Sequence, residues 1–169
     1  QKTIHDFYGF PQELFEVEYP AKGNPELAKE TAELLAPTSV IETDSWGLDH
    51  GAWSVIKHLY PAANIPVIQM SIDYTQPAQN HFDLAKKLQK LREKGILIIG
   101  SGNVVHNLRM IDWKNINTVG AGWDWAIEAR AKTNEWILDG NFQNLIHFEK
   151  QGTALKNAIP TPDHYLPLI

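Results

Sequence analysis

A chain of 169 residues that is 43% hydrophobic and 21% charged is long enough to bury one sizeable core and fits one globular domain better than two. Its net charge of -5 and isoelectric point near 5.8 supply none of the basic field that a phosphate backbone or an anionic lipid surface requires, so neither nucleic acid nor membrane is expected as a partner. Cysteine is absent, which excludes disulfides, thiolate zinc sites and a cysteine nucleophile; any metal must be held by histidine and carboxylate.

The chain opens on a loop-like stretch, Thr3 to Pro11, and Gln1 is not an initiator Met, so further sequence upstream is expected. Asn24-Pro25-Glu26 reads as N-cap, N1 proline and first-turn acid, and Leu27, Ala28, Leu34 and Leu35 continue at helical spacing to Ala36-Pro37. Ser39 to Glu42 is a short strand candidate, followed by a polar turn through Trp46 and Gly47. Asp49 then caps a helix from about His50 to Leu59, ended by Tyr60-Pro61. Ile65 to Ile72 reads as a buried strand. Pro77 to Lys94 carries Phe82, Leu84, Ala85, Leu88 and Leu91 on one stripe, with Gly95 at the C-terminal cap position.

Ile96 to Ile99 is a branched apolar strand candidate of the kind covered on both faces, and it runs into Gly100-Ser101-Gly102-Asn103. It is the longest strongly apolar run and far too short to span a bilayer, so a soluble protein, most simply a cytoplasmic one, is expected. A helix of about Gly122 to Leu138 follows, then a weaker helical patch from Phe142 to Lys150 and an irregular, proline-bearing tail. This order predicts an α/β layered domain, with a central, mostly parallel sheet flanked by helices. Three strands are few for so many helices, so the sheet is expected to be incomplete in this chain.

Seven histidines carry whatever chemistry is present. His58, His81 and His147 lie in helical segments and read as solvated or partly packed. His106 follows a strand candidate by a small-residue loop, where open α/β sheets place their ligand sites; it reads equally as a loop histidine bonded to its own turn. Asn103 and Asn107 beside it offer polar groups to a bound molecule. His50 starts a helix, where free N–H groups suit a neutral imidazole facing an anion, or it simply stacks on Trp46 or Trp53. His164 sits in a stiff loop that could deliver a ligand, or on a docking tail. His5, among Phe7, Tyr8 and Phe10, could line an aromatic-substrate pocket or only pack. No His-Glu-x-x-His helix, Walker loop, Rossmann fingerprint or Gly-x-Ser-x-Gly elbow is present.

Five segments taken together, His5 to Pro11, Trp46 to Trp53, Gln69 to Ile72, Gly100 to Leu108 and Thr161 to Leu168, resemble the successive motifs of the class III extradiol ring-cleaving dioxygenases. They are most similar to its 4,5-DOPA dioxygenase branch. The resemblance runs from about Thr3 to Ile169. Two family motifs, a His-Gly-Ser-Pro turn and a Ser-x-His-Trp turn whose histidines ligate metal, do not occur in this sequence.

For the intact parent protein the resemblance implies Fe(II)-dependent cleavage of a catechol, DOPA-like or related, by O2 to a ring-opened semialdehyde. It implies His164 as a metal ligand, His106 as acid/base or further ligand, His50 facing the substrate oxygens, and His5 and Asn103 near the substrate. Zn(II) would fit the same nitrogen-rich donors without the redox steps. The chain as written is expected to be a deficient catalyst, since one firmly placed ligand cannot hold iron against water. Two other readings compete: an inactive binding or interaction protein of the same fold, and a metal-dependent hydrolase. The oligomeric state is left open.

Overall fold

The computed structural model describes all 169 residues. Its regular structure is helical: α1 (Gln12–Phe15), α2 (Pro25–Leu35), α3 (His50–Leu59), α4 (Ala78–Arg92), α5 (Asp124–Leu138), α6 (Phe142–Ile146) and α7 (Thr153–Ala158), with short 3-10 turns at Leu108–Met110, Phe148–Lys150 and Leu166–Leu168. No helix is long and apolar enough to cross a membrane.

The central parallel sheet expected from the sequence is absent, and the α/β layering falls with it. The β pairing consists of one isolated parallel bridge, Thr3 to Leu48, in which Ile4 N–H donates to Leu48 O at 2.8 Å and Leu48 N–H donates to Lys2 O at 2.9 Å. Ser39 to Glu42, Ile65 to Ile72 and Ile96 to Ile99 form no ladder. The physical reason is that a branched apolar run records fitness for a pleated surface, whereas a strand exists only when a neighbour exchanges backbone hydrogen bonds with it. Single bonds, Val67 N–H to Lys22 O at 2.9 Å and Ile96 N–H to Leu91 O at 3.2 Å, tie two of the segments without making a ladder, and Ile41 and Leu97 lie 86% and 63% exposed.

The helices form where their end signals lie. The Asn24 side chain accepts from Leu27 N–H at 3.0 Å with Pro25 in the first turn, and the Asp49 side chain accepts from Ala52 N–H at 3.0 Å, each satisfying an N–H that has no intrahelical acceptor. The short helices α1 and α7 lie outside the helices expected from the sequence. The helix expected from Gly122 begins instead at Asp124, with Trp123 as its N-cap.

The chain packs as two compact units. The first comprises residues 1–71 and 87–101, with a core of Tyr19, Ala21, Leu48, Trp53 and Ile56. Two polar atoms in that core keep partners: Tyr19 Oη donates to Tyr60 O at 2.8 Å, and Trp53 Nε1 donates to Ile4 O at 2.8 Å, as burial demands. The second comprises residues 72–86 and 102–169. Its core sets Ala129 and Trp136 of α5 against Leu145, Phe148, Leu155, Ala158 and Tyr165. Tyr165 Oη donates to Leu145 O at 3.0 Å, which fixes the C-terminal segment that carries His164.

Candidate active site

In the second unit, three contacts bring two distant loops together. Asn103 N–H donates to His164 O at 2.7 Å, and His106 N–H donates to Ala158 O at 2.8 Å. Gly102 permits the first of these: a Cβ there would lie 2.2 Å from His164 O, a distance that any side chain forbids. Asn107 adds a bond from its side-chain N–H to Asn157 O at 2.7 Å. The outcome is that the His106 and His164 rings stack, with centroids 3.6 Å apart and planes 14° from parallel. Asn103 takes part through its backbone, and its side chain is exposed.

His164 is oriented by its neighbour. Its Nδ1 lies 2.7 Å from Asp163 Oδ2; with Nδ1–H donating to the carboxylate, Nε2 keeps its lone pair for a ligand, as in carboxylate–histidine–metal arrangements. Burial pushes the Asp163 carboxyl up, but hydrogen bonds from Thr161 and His164 outweigh it and leave the group below its ordinary range. For His106, burial and then the adjacent His164 ring lower the imidazole pKa, against the opposing pull of Asp163. A neutral ring able to accept a proton results.

The donor set fits a metal ion only in part. Two imidazoles stacked nearly parallel direct their lone pairs into separate planes. An ion in the plane of one ring would sit a full ring separation out of the other's, beyond the roughly 2.0–2.1 Å of a metal–nitrogen bond. His164 therefore fits as a ligand through Nε2, and the stacked pair does not chelate a single ion as it stands. No group of three or more His, Asp or Glu side chains is positioned to hold a metal, so the residues of this chain do not complete a metal site.

The first unit gathers His5 and His50. Asp6 Oδ1 accepts from both the backbone N–H and the Nδ1 of His50, each at 2.9 Å, so Nε2 of His50 is unengaged by this pairing. Phe7 meets the His50 ring edge-on at 5.6 Å. His5 Nε2 lies 2.9 Å from Val17 O, and its ring packs between Phe7, Phe15 and Trp53 at 5.8 to 6.3 Å. A ring so engaged is well placed to support an aromatic wall.

Two partners escaped the reading of the sequence. Asp163 stood beside His164 and could have been flagged by adjacency. Asp6 is 44 positions from His50, and nothing local marks that pairing. Beside His106 there is also a cavity of about 280 Å³ whose walls include Met110, Ile111, Asp112, Ile116 and Trp123.

The family model described as the catalytic LigB subunit of aromatic ring-opening dioxygenase matches residues 1–168. The chain is 44% identical over 170 residues to the 4,5-DOPA dioxygenase extradiol of Escherichia coli (strain K12), covering 99% of this chain and 62% of that protein. It is 36% identical over 169 residues to the 4,5-DOPA dioxygenase extradiol of Beta vulgaris, covering 98% and 62%. The crystal structure of an uncharacterized protein from Escherichia coli K12 superposes with a TM-score of 0.74 at 38% identity, over 92% of this chain and 64% of that one. The chain thus spans about three fifths of the length of the curated relatives it matches, 62% in both cases.

Proposed function

This chain belongs to the LigB family of aromatic ring-opening dioxygenases, and from that membership we propose that the intact protein opens a catechol ring beside its hydroxyl-bearing carbons, using O2, to give a semialdehyde. The observation that carries the proposal is the His106–His164 pair, stacked at 3.6 Å with His164 oriented by Asp163. One imidazole is prepared as a ligand, and its neighbour is prepared as a base.

Non-haem Fe(II) is the proposed cofactor, supplying the redox chemistry toward dioxygen that Zn(II) in the same donors lacks. His164 Nε2 is the ligand this chain offers, and the remaining ligands are assigned to parts of the intact protein outside these residues. His106, kept neutral by burial and by His164, takes a proton from a catechol hydroxyl at a ring nitrogen and returns it after the ring opens. A neutral imidazole that can accept a proton and later release it is suited to that double duty. For His50, in the first unit, the resemblance implies a hydrogen bond to a substrate oxygen, and Asp6 engages its Nδ1.

Oxygen uptake by the full-length protein, loaded anaerobically with Fe(II) and given DOPA or protocatechuate, tests this reading. Uptake stoichiometric with a ring-opened semialdehyde is the expected result. Binding of the diols with no oxygen consumed would favour a binding protein of the same family. Robust turnover by residues 1–169 alone would overturn the conclusion that their ligand set is incomplete.

A further inference from the structure

Gln69 stands in a segment that joins no ladder and is itself exposed, yet both polar atoms of its side chain are bound to one residue. Gln69 Nε2 donates to Asp49 Oδ2 at 2.6 Å, and Asp49 N–H donates to Gln69 Oε1 at 3.1 Å. These partners fix which way the amide faces, because a backbone N–H needs an oxygen and a carboxylate needs an N–H. Asp49 Oδ1 meanwhile accepts from Ala52 N–H at 3.0 Å as the N-cap of α3. Both oxygens of the cap are therefore engaged, one by the helix and one by a residue 20 positions away.

His50 follows directly as the first residue of α3. Its backbone N–H donates to Asp6 Oδ1 at 2.9 Å, and Ser101 Oγ donates to Gly51 O at 2.5 Å, so three separate segments grip one helical turn. Exposed hydrogen bonds exchange with water and add little to global stability; what a two-point contact supplies is direction. We propose that Gln69 is a positioning residue for His50: by locking the Asp49 carboxylate it holds the first turn of α3, and with it the direction of the His50 side chain. The inference rests on the ring-cleavage reading only in giving His50 a substrate oxygen to meet.

The pairing can be reversed chemically. In the double variant Asp49→Asn with Gln69→Glu, the new amide would donate to the new carboxylate, the carboxylate would also accept from the residue 49 N–H, and the amide oxygen would keep the cap. Gln69→Glu alone sets two carboxylates against each other, and Asp49→Asn alone sets amide against amide with one bond lost. Amide hydrogen exchange on the full-length protein should show His50 and Ala52 N–H exchanging roughly tenfold faster in each single variant, the effect of about one hydrogen bond. Tyr60 N–H at the far end of α3, which donates to Ile56 O at 2.7 Å, should be unchanged, and the double variant should recover the native pattern. In oxygen uptake with DOPA, KM should rise roughly tenfold in the single variants and return in the double one. No change in the single variants, no recovery in the double, an equal loss at Tyr60, or a KM unmoved where His50 exchange quickens would overturn the role of Gln69. Recovery in exchange with no ring cleavage by any form, native included, sinks the oxygenase proposal alone, and ring cleavage with no response in exchange sinks the positioning role alone.

Discussion

Asp6 holds His50 at two points, since a single carboxylate oxygen, Oδ1, accepts from both the backbone N–H and the Nδ1 of His50, each at 2.9 Å. One acidic residue thus closes the start of α3 onto the opening loop and selects the His50 tautomer. Nitrogen-15 NMR of the full-length protein should show His50 protonated at Nδ1 with Nε2 free. In Asp6→Ala that preference should be lost, at a cost of about 1 kcal/mol in stability for the missing hydrogen bonds. An unchanged tautomer in the variant would refute the pairing.

The same contact sets a pH dependence. Burial raises the Asp6 carboxyl pKa, but the bonds from the backbone and ring of His50 outweigh it and leave the group below its ordinary 3.8. A carboxyl whose folded pKa lies below its unfolded one stabilises the fold above the unfolded value, and that contribution is lost as pH falls through the folded value. Urea denaturation at a series of pH values should therefore show native protein and Asp6→Ala converging below pH 3.8, with the native protein the more stable above it.

Gly102 and His164 are tied by contact rather than by chemistry. Gly102→Ala would drive a Cβ to 2.2 Å from His164 O, a backbone atom that cannot rotate away, and to 3.2 Å from Pro167 Cγ. The loss expected in chemical denaturation is about 1–3 kcal/mol. The stacking of His106 on His164 should loosen with it, visible as a change in both imidazole NMR environments. A neutral effect would mean that the two loops do not approach as closely as described.

Tyr165 is almost fully buried, and its hydroxyl bonds to Leu145 O at 3.0 Å, an environment that raises the phenol pKa well above its usual value. Tyr165→Phe keeps the ring packing and removes only this bond, so about 1–2 kcal/mol of stability should be lost by thermal or urea unfolding. A large fall in stability beyond that would point to repacking around Phe148, whose ring lies 4.6 Å away.

What could be read from the sequence was local. Asn24-Pro25 and Asp49 announce helix starts because a cap acts within three residues, and α2 and α3 begin where those residues put them. Ile96 to Ile99 shows the opposite: branching indicates what a segment tolerates, and a sheet depends on a partner that no pattern within the segment encodes. The candidate site divides in the same way. His106, His164, His50 and His5 stood out by residue type, motif and loop position, while the Asp6–His50 bond and the stacking of His106 on His164 depend on contacts across 44 and 58 positions.

The central claim, that His164 ligates and His106 moves the proton, is tested most directly by metal content and turnover measured together on His164→Ala and His106→Ala in the full-length protein. The account predicts that His164→Ala loses both bound metal and turnover. His106→Ala should keep its metal while ring cleavage falls by roughly 10²–10⁴-fold, the range for removal of a general acid/base. Metal lost from His106→Ala and retained by His164→Ala would contradict it.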